Sequence, residues 1–310
     1  MHLALGRAEY YTGTMRNAIK ISHLTKKFGK KLAVDNLSLD VKEGEIFGFL
    51  GPNGAGKTTT IRMILSHISP TEGTIRVYGR DSVQNYTEVH HSTGYVAGDS
   101  AMYDNLSGKN YIRYMMNLRG ERKSPEVDRL AEVLQADLSP KLKTLSRGNK
   151  QKIGIIAAMA HKPKLLIFDE PTSGLDPLMQ EEFYTLLAEH KKRGGTTFMS
   201  SHNLAEVEKV CDRVGFIRQG KLVEVSKVRE LRQAATKEFR ITFKTAPDLR
   251  YFTGSSSVHD VRIDGKEVVC SVRGHLNELI RILSKHDVVN IESRELELEE
   301  VFMKLYGGKA

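Results

Sequence analysis

Short stretches in which apolar and polar residues alternate predict the β-strands of this chain. Residues 18–21 and 37–41 alternate with a period of two, whereas residues 46–50 are apolar throughout, which is typical of a strand buried on both faces. Further strand-like stretches cover residues 73–79, 93–97, 164–168 and 196–200. Helical patterns lie between these strands, so the order of elements predicts an α/β fold.

A helical period replaces the alternation over residues 107–118 and 124–136. The residues expected on the buried faces are Tyr111, Met115 and Leu118 in the first helix and Val127, Leu130, Ala131 and Leu134 in the second. These side chains are interpreted as helix-packing residues rather than as a cofactor site. A helical insertion is therefore expected within about residues 99–160.

A glycine-rich turn joins the apolar stretch at residues 46–50 to a helix start at Lys57, with the spacing of a P-loop. In such a loop backbone N–H groups point at phosphate oxygens, and the helix N-terminus adds partial positive charge. Lys57 would reach the outer phosphates, and Thr58 would ligate a magnesium ion. An ordinary glycine-rich turn is the alternative, but the flanking strand and helix favour a P-loop. The expected nucleotide-binding residues are Gly51, Pro52, Asn53, Gly54, Ala55, Gly56, Lys57, Thr58 and Thr59.

Two acidic residues, Asp169 and Glu170, end the apolar stretch at residues 164–168. The carboxyl ends of strands are where an α/β sheet binds its ligand. Asp169 would hold the magnesium ion, and Glu170 would orient and polarise an attacking water. A solvated strand end is the alternative, but the P-loop upstream argues against it.

A second anion-binding loop is predicted at residues 145–149. Ser146 is a suitable N-cap for the helix that follows, and Gly148 leaves backbone donors accessible to an anion. Taken alone this pattern is common in proteins. It gains weight from the two acidic residues that follow the same helix and strand.

The composition is that of a globular protein, with 40% hydrophobic and 27% charged residues among 310. The net charge of +9 is compatible with nucleic acid, an anionic membrane surface or a nucleotide as ligand. Each run of basic residues, such as residues 191–193, is interpreted as a solvated surface. The two cysteines, Cys211 and Cys270, have no metal-ligand spacing and fit a reducing compartment. No apolar run reaches about twenty residues, the length that spans a bilayer.

These motifs resemble those of the nucleotide-binding subunit of an ATP-binding cassette (ABC) transporter, over roughly residues 17–225. Residues 145–149 resemble the signature loop of that family. Residues 169–176 match the end of its Walker B strand and its D-loop, and His202 stands after a strand where the family has its switch histidine.

The resemblance also gives roles to two further residues. Phe28, in a charged turn-like setting, could by itself be either a core or edge aromatic or a base-stacking ring. The resemblance implies that it stacks on adenine. It likewise implies that Asp176, in the D-loop, lies at a boundary between subunits.

Two departures from the family pattern concern contacts around the nucleotide. Arg147 and Asn149 replace a glycine and a glutamine of the signature loop, whereas Ser146 and Gly148 are retained. Gly98, followed by Asp99, stands where the family usually has a glutamine that contacts magnesium and couples to the membrane subunit. Both variations resemble the exporter branch whose ATPase subunits are separate chains, often for drugs or antimicrobial peptides.

The resemblance implies an α/β P-loop NTPase cassette with a mixed sheet core and a helical subdomain, followed by a small C-terminal α+β domain. The expected boundaries are a disordered leader at residues 1–16, the cassette at 17–232 and the accessory domain at 237–306. A β-hairpin at Asp264-Gly265 and helices at residues 276–283 and 296–305 are expected in the last part.

The expected cofactors are ATP and Mg²⁺. The implied partners are membrane-embedded permease subunits on a separate chain and a second copy of this chain, arranged head to tail, at the cytoplasmic face of the membrane. No nucleic acid is expected.

A soluble ABC-type ATPase that acts on nucleic acid or ribosomes is the alternative, and the basic charge is compatible with it. Such proteins usually carry two cassettes or a long coiled-coil insertion, whereas this chain has one P-loop and a short insertion. A further possibility makes the C-terminal part a regulatory binding module.

Overall fold

The computed structural model describes residues 16–98, 102–121, 124–234, 237–252, 257–272 and 276–295. The strands are β1 (Asn17–Phe28), β2 (Lys31–Lys42), β3 (Ile46–Leu50), β4 (Glu72–Val77), β5 (Arg80–Asp81), β6 (Thr93–Val96), β7 (Leu165–Asp169), β8 (Thr196–Ser201), β9 (Arg213–Arg218), β10 (Lys221–Lys227), β11 (Lys237–Phe243), β12 (Val258–Asp264), β13 (Glu267–Val272) and β14 (Val288–Glu295). The helices are α1 (Lys57–Ile64), α2 (Tyr86–Ser92), α3 (Gly108–Leu118), α4 (Glu126–Val133), α5 (Arg147–Met159), α6 (Pro177–Lys192), α7 (Leu204–Val210), α8 (Val228–Ala234) and α9 (Asn277–Leu283).

The central sheet has the strand order β10-β9-β3-β8-β7-β6. Neighbouring strands from β9 to β6 run parallel, and β10 pairs antiparallel with β9. In β7, Leu166 and Phe168 belong to one apolar cluster, whereas Leu165 and Ile167 belong to the other. The sheet is therefore buried on both faces, which explains its continuous apolar stretches.

A second, antiparallel sheet has the order β2-β1-β4-β5. The predicted strands at residues 18–21 and 37–41 are parts of the longer strands β1 and β2. Their inward residues pack with α1 and one face of the central sheet, as shown by Ile19, Leu39 and Ile61 in the same cluster. This sheet holds Phe28, the last residue of β1, beside the P-loop.

The helical part contains α3, α4 and α5, whose buried residues join the cluster on the other face of the central sheet. The predicted helices are confirmed, and Tyr111 of α3 packs against the core as predicted, but the rest of the predicted face of that helix is displaced. Ile112 and Met116 are buried, whereas Leu118 is 66% exposed. Packing against α5 selects a face one position away from the predicted one. No helix within the described ranges is long and apolar enough to cross a membrane.

The C-terminal strands form a separate antiparallel sheet with the order β12-β13-β11-β14, covered by α9. The hairpin predicted at Asp264-Gly265 is confirmed, since Asp264 pairs with Glu267 and Gly265 has φ 58°. The strand β14 and the helices α2 and α8 were not predicted from the sequence. The helix expected at residues 296–305 and most of the leader expected at 1–16 lie outside the described residues.

Candidate functional site

The P-loop connects the carboxyl end of β3 to α1. Gly56 is the N-cap of α1, with φ 112° and no side chain that caps the helix, so the first N–H groups face the loop. Lys57 is 5% exposed and its Nζ donates to the carbonyls of Gly51 at 2.5 Å and Pro52 at 3.2 Å. The ammonium therefore lies inside the curve of the loop, where positive charge attracts phosphate.

Two glycines in the loop are required by close approach of other backbone segments. A Cβ on Gly51 would lie 2.3 Å from the Ile217 carbonyl oxygen, and one on Gly56 would lie 2.7 Å from the Ala33 carbonyl oxygen. Side chains there would displace these segments. Together with the hydroxyl of Thr58 and the carboxylate of Asp169, oxygen ligands of the kind Mg²⁺ prefers, the cradle fits a magnesium nucleotide.

The acidic residues at the end of β7 are held by Ser200 on β8. The Ser200 hydroxyl donates to Asp169 Oδ1 at 2.6 Å, and Asp169 is 3% exposed. The backbone N–H of Glu170 donates to Ser200 Oγ at 3.1 Å. Glu170 has φ 51°, a left-handed conformation that is unfavourable for a residue with a side chain. The hydrogen bonds from β8 stabilise this turn, which directs Glu170 away from the strand.

Glu170 lies between two of the predicted site residues. Its Oε1 is 3.3 Å from Lys57 Nζ, and its Oε2 is 3.1 Å from His202 Nδ1. These residues come from three different strand ends, β3, β7 and β8, which are adjacent at the same edge of the central sheet. The structure therefore brings together the residues predicted to contact the outer phosphates (Lys57), to orient the attacking water (Glu170) and to act as the switch histidine (His202), the three predicted to carry the catalysis.

A half-buried phenol lies near this edge. Burial raises the pKa of Tyr95 on β6 to about 12, and the negative charge of Asp169 contributes to the shift. The phenol therefore stays neutral at physiological pH. It supplies no second negative charge beside Asp169.

A cleft of about 450 Å³ joins Phe28, the P-loop and Glu170. Phe28 is 49% exposed, and Lys26 Nζ lies 5.1 Å from the centre of its ring. An exposed ring at a cleft rim is free to stack on a planar ligand. The P-loop residues that line the cleft are Asn53, Gly54, Ala55, Gly56, Lys57, Thr58 and Thr59.

The predicted signature loop is not among the residues that line this cleft. Ser146 is the N-cap of α5, and its hydroxyl accepts from Asn149 N at 3.3 Å, as predicted. Gly148 packs on the D-loop of the same chain, since a Cβ there would lie 2.2 Å from the Gly174 carbonyl oxygen. Arg147 Nη2 lies 3.4 Å from the carbonyl oxygen of Gly98, to which it donates.

The position that departs from the family pattern is close to the acidic strand end. A Cβ on Gly98 would lie 3.0 Å from the Asp169 carbonyl oxygen and 3.6 Å from its Cγ. A glutamine at this position would therefore start beside Asp169. Asp99, the residue suggested as a substitute, lies outside the described residues.

Asp176 acts within its own chain as the N-cap of α6, where its side chain accepts from Met179 N at 3.0 Å. Asp176 is exposed and does not line the cleft. Its capping role was not predicted, although an aspartate before Pro177 is a typical helix start.

Sequence reasoning missed two residues that organise the site. Ser200 bridges both acidic residues, and Glu206 on α7 accepts from the hydroxyls of Thr172 at 2.5 Å and Ser201 at 2.7 Å. Glu206 thereby joins the segment after the acidic pair to the strand before His202. The available signal was a run of hydroxyl residues in a buried strand, because buried polar groups need partners.

Comparisons with known proteins identify the family to which the chain belongs. The family model described as ABC transporter matches residues 34–173. The bacitracin transport ATP-binding protein BcrA of Bacillus licheniformis is 37% identical over 303 residues, which cover 95% of this chain and 99% of that protein. The protein of the same name from Enterococcus faecalis is 34% identical, with 95% and 98% covered.

A solved ATP-binding subunit of an ABC transporter superposes with a TM-score of 0.64 at 27% identity, over 69% of this chain and 92% of that chain. The predicted α/β P-loop NTPase fold is confirmed by this likeness, and ATP as the expected nucleotide is confirmed by the family. The chain belongs to the ABC transporter ATP-binding protein family and is the ATP-binding, ATP-hydrolysing subunit of such a transporter.

Proposed function

We propose that this chain drives export of a solute through separate membrane-embedded permease subunits, to which it binds at the cytoplasmic face of the membrane. The observation that carries the proposal is the likeness to BcrA, a bacitracin transport protein, over 95% of the chain. The similarity to BcrA extends beyond the cassette motifs into the C-terminal residues, which favours the same function for the whole of both chains. A drug or antimicrobial peptide is the class of solute that this likeness favours.

The proposed division of the chain follows the sequence. Residues 17–232 form the nucleotide-binding cassette, with a helical subdomain at about 99–160, and residues 237–306 form a C-terminal accessory domain. The separate apolar cluster around Phe239, Ile241 and Val268 supports the second unit.

Within the cassette, the P-loop N–H groups and Lys57 bind the phosphates, and Phe28 stacks on adenine. Thr58 and Asp169 hold Mg²⁺, which when bound neutralises charge on the transferred phosphoryl group. Glu170 orients the attacking water and accepts its proton, because its carboxylate projects from the strand end into the cleft. His202 positions this carboxylate through the 3.1 Å contact, and Lys57 lies on its other oxygen.

The site is completed by a second copy of the chain, arranged head to tail. Ser146, Gly148 and Asp176 do not line the cleft that their own P-loop forms, so they are available to a facing cleft. The N-terminus of α5 would then add its partial positive charge to the outer phosphate. Each cleft would thus combine the P-loop of one copy with the signature loop of the other.

Mixing two inactive variants tests this arrangement. Lys57→Ala removes the phosphate ligand, and Ser146→Asp keeps the helix cap but places a negative charge against the phosphate. In a head-to-tail heterodimer, the intact P-loop of the Ser146→Asp chain faces the intact signature loop of the Lys57→Ala chain. We expect ATPase activity to appear on mixing.

The matched control mixes Lys57→Ala with the double variant Lys57→Ala/Ser146→Asp, in which no cleft is intact. If the first mixture is as inactive as this control, the head-to-tail site is wrong.

The transport role is tested separately by fractionation. The chain is expected to sediment with membranes only when its hydrophobic partner is co-expressed, and recovery with ribosomes instead would favour the soluble alternative.

A further inference from the structure

A second cavity, larger than the nucleotide cleft, lies elsewhere in the described part of the chain. It has a volume of about 950 Å³, in the range typical of small-molecule sites. Six basic side chains from four separate segments line it: Arg16, Lys20, Arg76, Lys162, Lys164 and Arg193. From the sequence, the run that contains Arg193 was interpreted as solvated surface, and nothing local shows that the six side chains converge.

The cavity lies at the opposite end of the central sheet from the nucleotide cleft. Lys164 immediately precedes β7, which ends at Asp169, and Gly195 of the cavity wall immediately precedes β8, which ends at Ser201. A strand of five residues separates the two sites by roughly 17 Å. The cavity is therefore a distinct place, and none of its lining residues belongs to the ATP-binding machinery.

The charge of the cavity is poorly compensated by its own lining. One lining carboxylate, Glu43, faces the six basic residues, and Lys162 is also paired with Glu126 at 3.1 Å. Burial lowers the pKa of His190, so this lining imidazole stays neutral and adds no positive charge. The wall thus has an excess of positive charge around a concave space.

Two of the basic residues repel one another within a single sheet. Lys20 on β1 and Arg76 on β4 are direct cross-strand partners, and both side chains are exposed. Like charges in such a position destabilise a sheet. Asp40, the partner of Lys20 on β2, and Asp81, the partner of Arg76 on β5, offset part of this repulsion, but neither lines the cavity. An anion bound between Lys20 and Arg76 would relieve the rest.

Hydrogen bonds fix the floor of the cavity. The Tyr78 hydroxyl donates to the Lys164 carbonyl at 2.9 Å, and burial raises the pKa of this phenol, so it remains a donor. The turn that carries Lys164 is thereby tied to the end of β4. This hydrogen bond fixes the backbone of the wall, whereas the six basic side chains on it are exposed and accessible to a ligand.

We propose that this cavity binds a phosphate-bearing anion. Phosphate oxygens accept charge-assisted hydrogen bonds from lysine and arginine, and a ligand with more than one phosphate matches several convergent cations. The phosphates belong either to a free polyphosphate or nucleotide or to an anionic lipid headgroup. The proposal does not depend on the transport role of the chain.

The first arm of the test titrates inorganic tripolyphosphate into the full chain, by calorimetry, with the P-loop saturated with MgADP. The expected result is a further binding event that weakens at least about tenfold in the variant Lys20→Gln/Arg76→Gln. The second arm measures flotation with vesicles of phosphatidylglycerol and phosphatidylcholine, compared with phosphatidylcholine alone.

The control variant, Arg80→Gln/Lys192→Gln, removes two exposed charges next to the cavity that do not line it. Tripolyphosphate binding that is lost in the cavity variant and kept in the control supports a free anion as ligand. Vesicle binding with the same pattern, without tripolyphosphate binding, supports a lipid headgroup. If the chain binds neither tripolyphosphate nor vesicles, or if the control variant weakens binding as much as the cavity variant does, the proposal is wrong. Thermal unfolding confirms that each variant is folded.

Discussion

The Ser200 hydroxyl donates a hydrogen bond of 2.6 Å to Asp169 Oδ1 in the interior of the central sheet. The two residues are register partners on the parallel strands β7 and β8. Ser200 Oγ also accepts from the Glu170 N–H, so one buried hydroxyl holds the backbone of one acidic residue and the side chain of the other. Ser200 is therefore a positioning residue for the proposed magnesium ligand and the proposed base.

Ser200→Ala removes both hydrogen bonds while leaving the strand intact. We expect ATP hydrolysis to fall by about tenfold to a hundredfold, since a lost bond to a charged group costs about 1.5–3 kcal/mol. The affinity for ATP without magnesium is expected to change little, because the P-loop is untouched. Hydrolysis rates across a magnesium titration, together with nucleotide binding, measure the two effects.

Thr197→Val is the matched control on the same strand. The buried Thr197 hydroxyl has no hydrogen-bond partner among the described residues, so its replacement by an isosteric side chain is expected to preserve both activity and stability. Equal losses in the two variants would show that the Ser200 effect is a general weakening of β8.

Glu170→Gln keeps the size of the side chain but removes the charge that faces Lys57 and His202. Hydrolysis is expected to fall by at least about a hundredfold, the contribution of a positioned general base. ATP binding is retained, so the variant accumulates as an ATP-bound dimer detectable by sedimentation. An unchanged hydrolysis rate would refute the role of Glu170, and Glu88→Gln, an exposed carboxylate on α2, serves as the control.

Gly148→Ala introduces a methyl group against the Gly174 carbonyl, which lies 2.2 Å from the new Cβ. A backbone carbonyl cannot move aside without shifting the D-loop, so we expect hydrolysis to be largely lost and stability to decrease by about 1–3 kcal/mol. Rates of hydrolysis and denaturant unfolding measure these effects.

Gly154→Ala in the same helix provides the comparison. Its new Cβ would meet the flexible end of Met102 at 3.2 Å, and alanine is favoured over glycine in a helix by about 1 kcal/mol. This variant is expected to retain activity and stability. If Gly148→Ala behaves in the same way, contact between the signature loop and the D-loop is not required.

Stability at acidic pH is expected to depend on His161. Burial lowers the pKa of His161 to about 4, and the positive charge of Arg119 contributes. In the unfolded chain the imidazole binds a proton near pH 6.5, whereas in the folded chain it stays neutral down to about pH 4. Protonation therefore favours the unfolded chain, so that the free energy of unfolding is unaffected by His161 above about pH 6.5 and decreases as the pH falls toward 4. His161→Asn should therefore flatten the decrease in the urea midpoint between pH 6.5 and 4.

His259→Asn is the control, because it also removes one titratable imidazole but at an exposed position. If His161→Asn retains the slope of the wild type, other groups cause the acid sensitivity.

The sequence by itself determined the features that depend on neighbours along the chain. The P-loop, the Ser146 cap, the acidic pair after β7 and the Asp264-Gly265 hairpin are each set by a few consecutive residues, because turn geometry and helix capping are local. Strand alternation likewise reports which face is buried. These features were enough to predict the α/β fold and the P-loop wall of the nucleotide cleft, but not the wall formed by residues 31–33 and 219–220.

Only the tertiary structure decided which distant residues meet. The buried face of α3 depends on packing against α5, and the position of Glu170 between Lys57 and His202 depends on three strands adjoining at one sheet edge. The convergence of Lys20, Arg76 and the other basic residues on one cavity arises in the same way. Such contacts join separate segments, and their energies come from burial and charge in three dimensions, which no local pattern records.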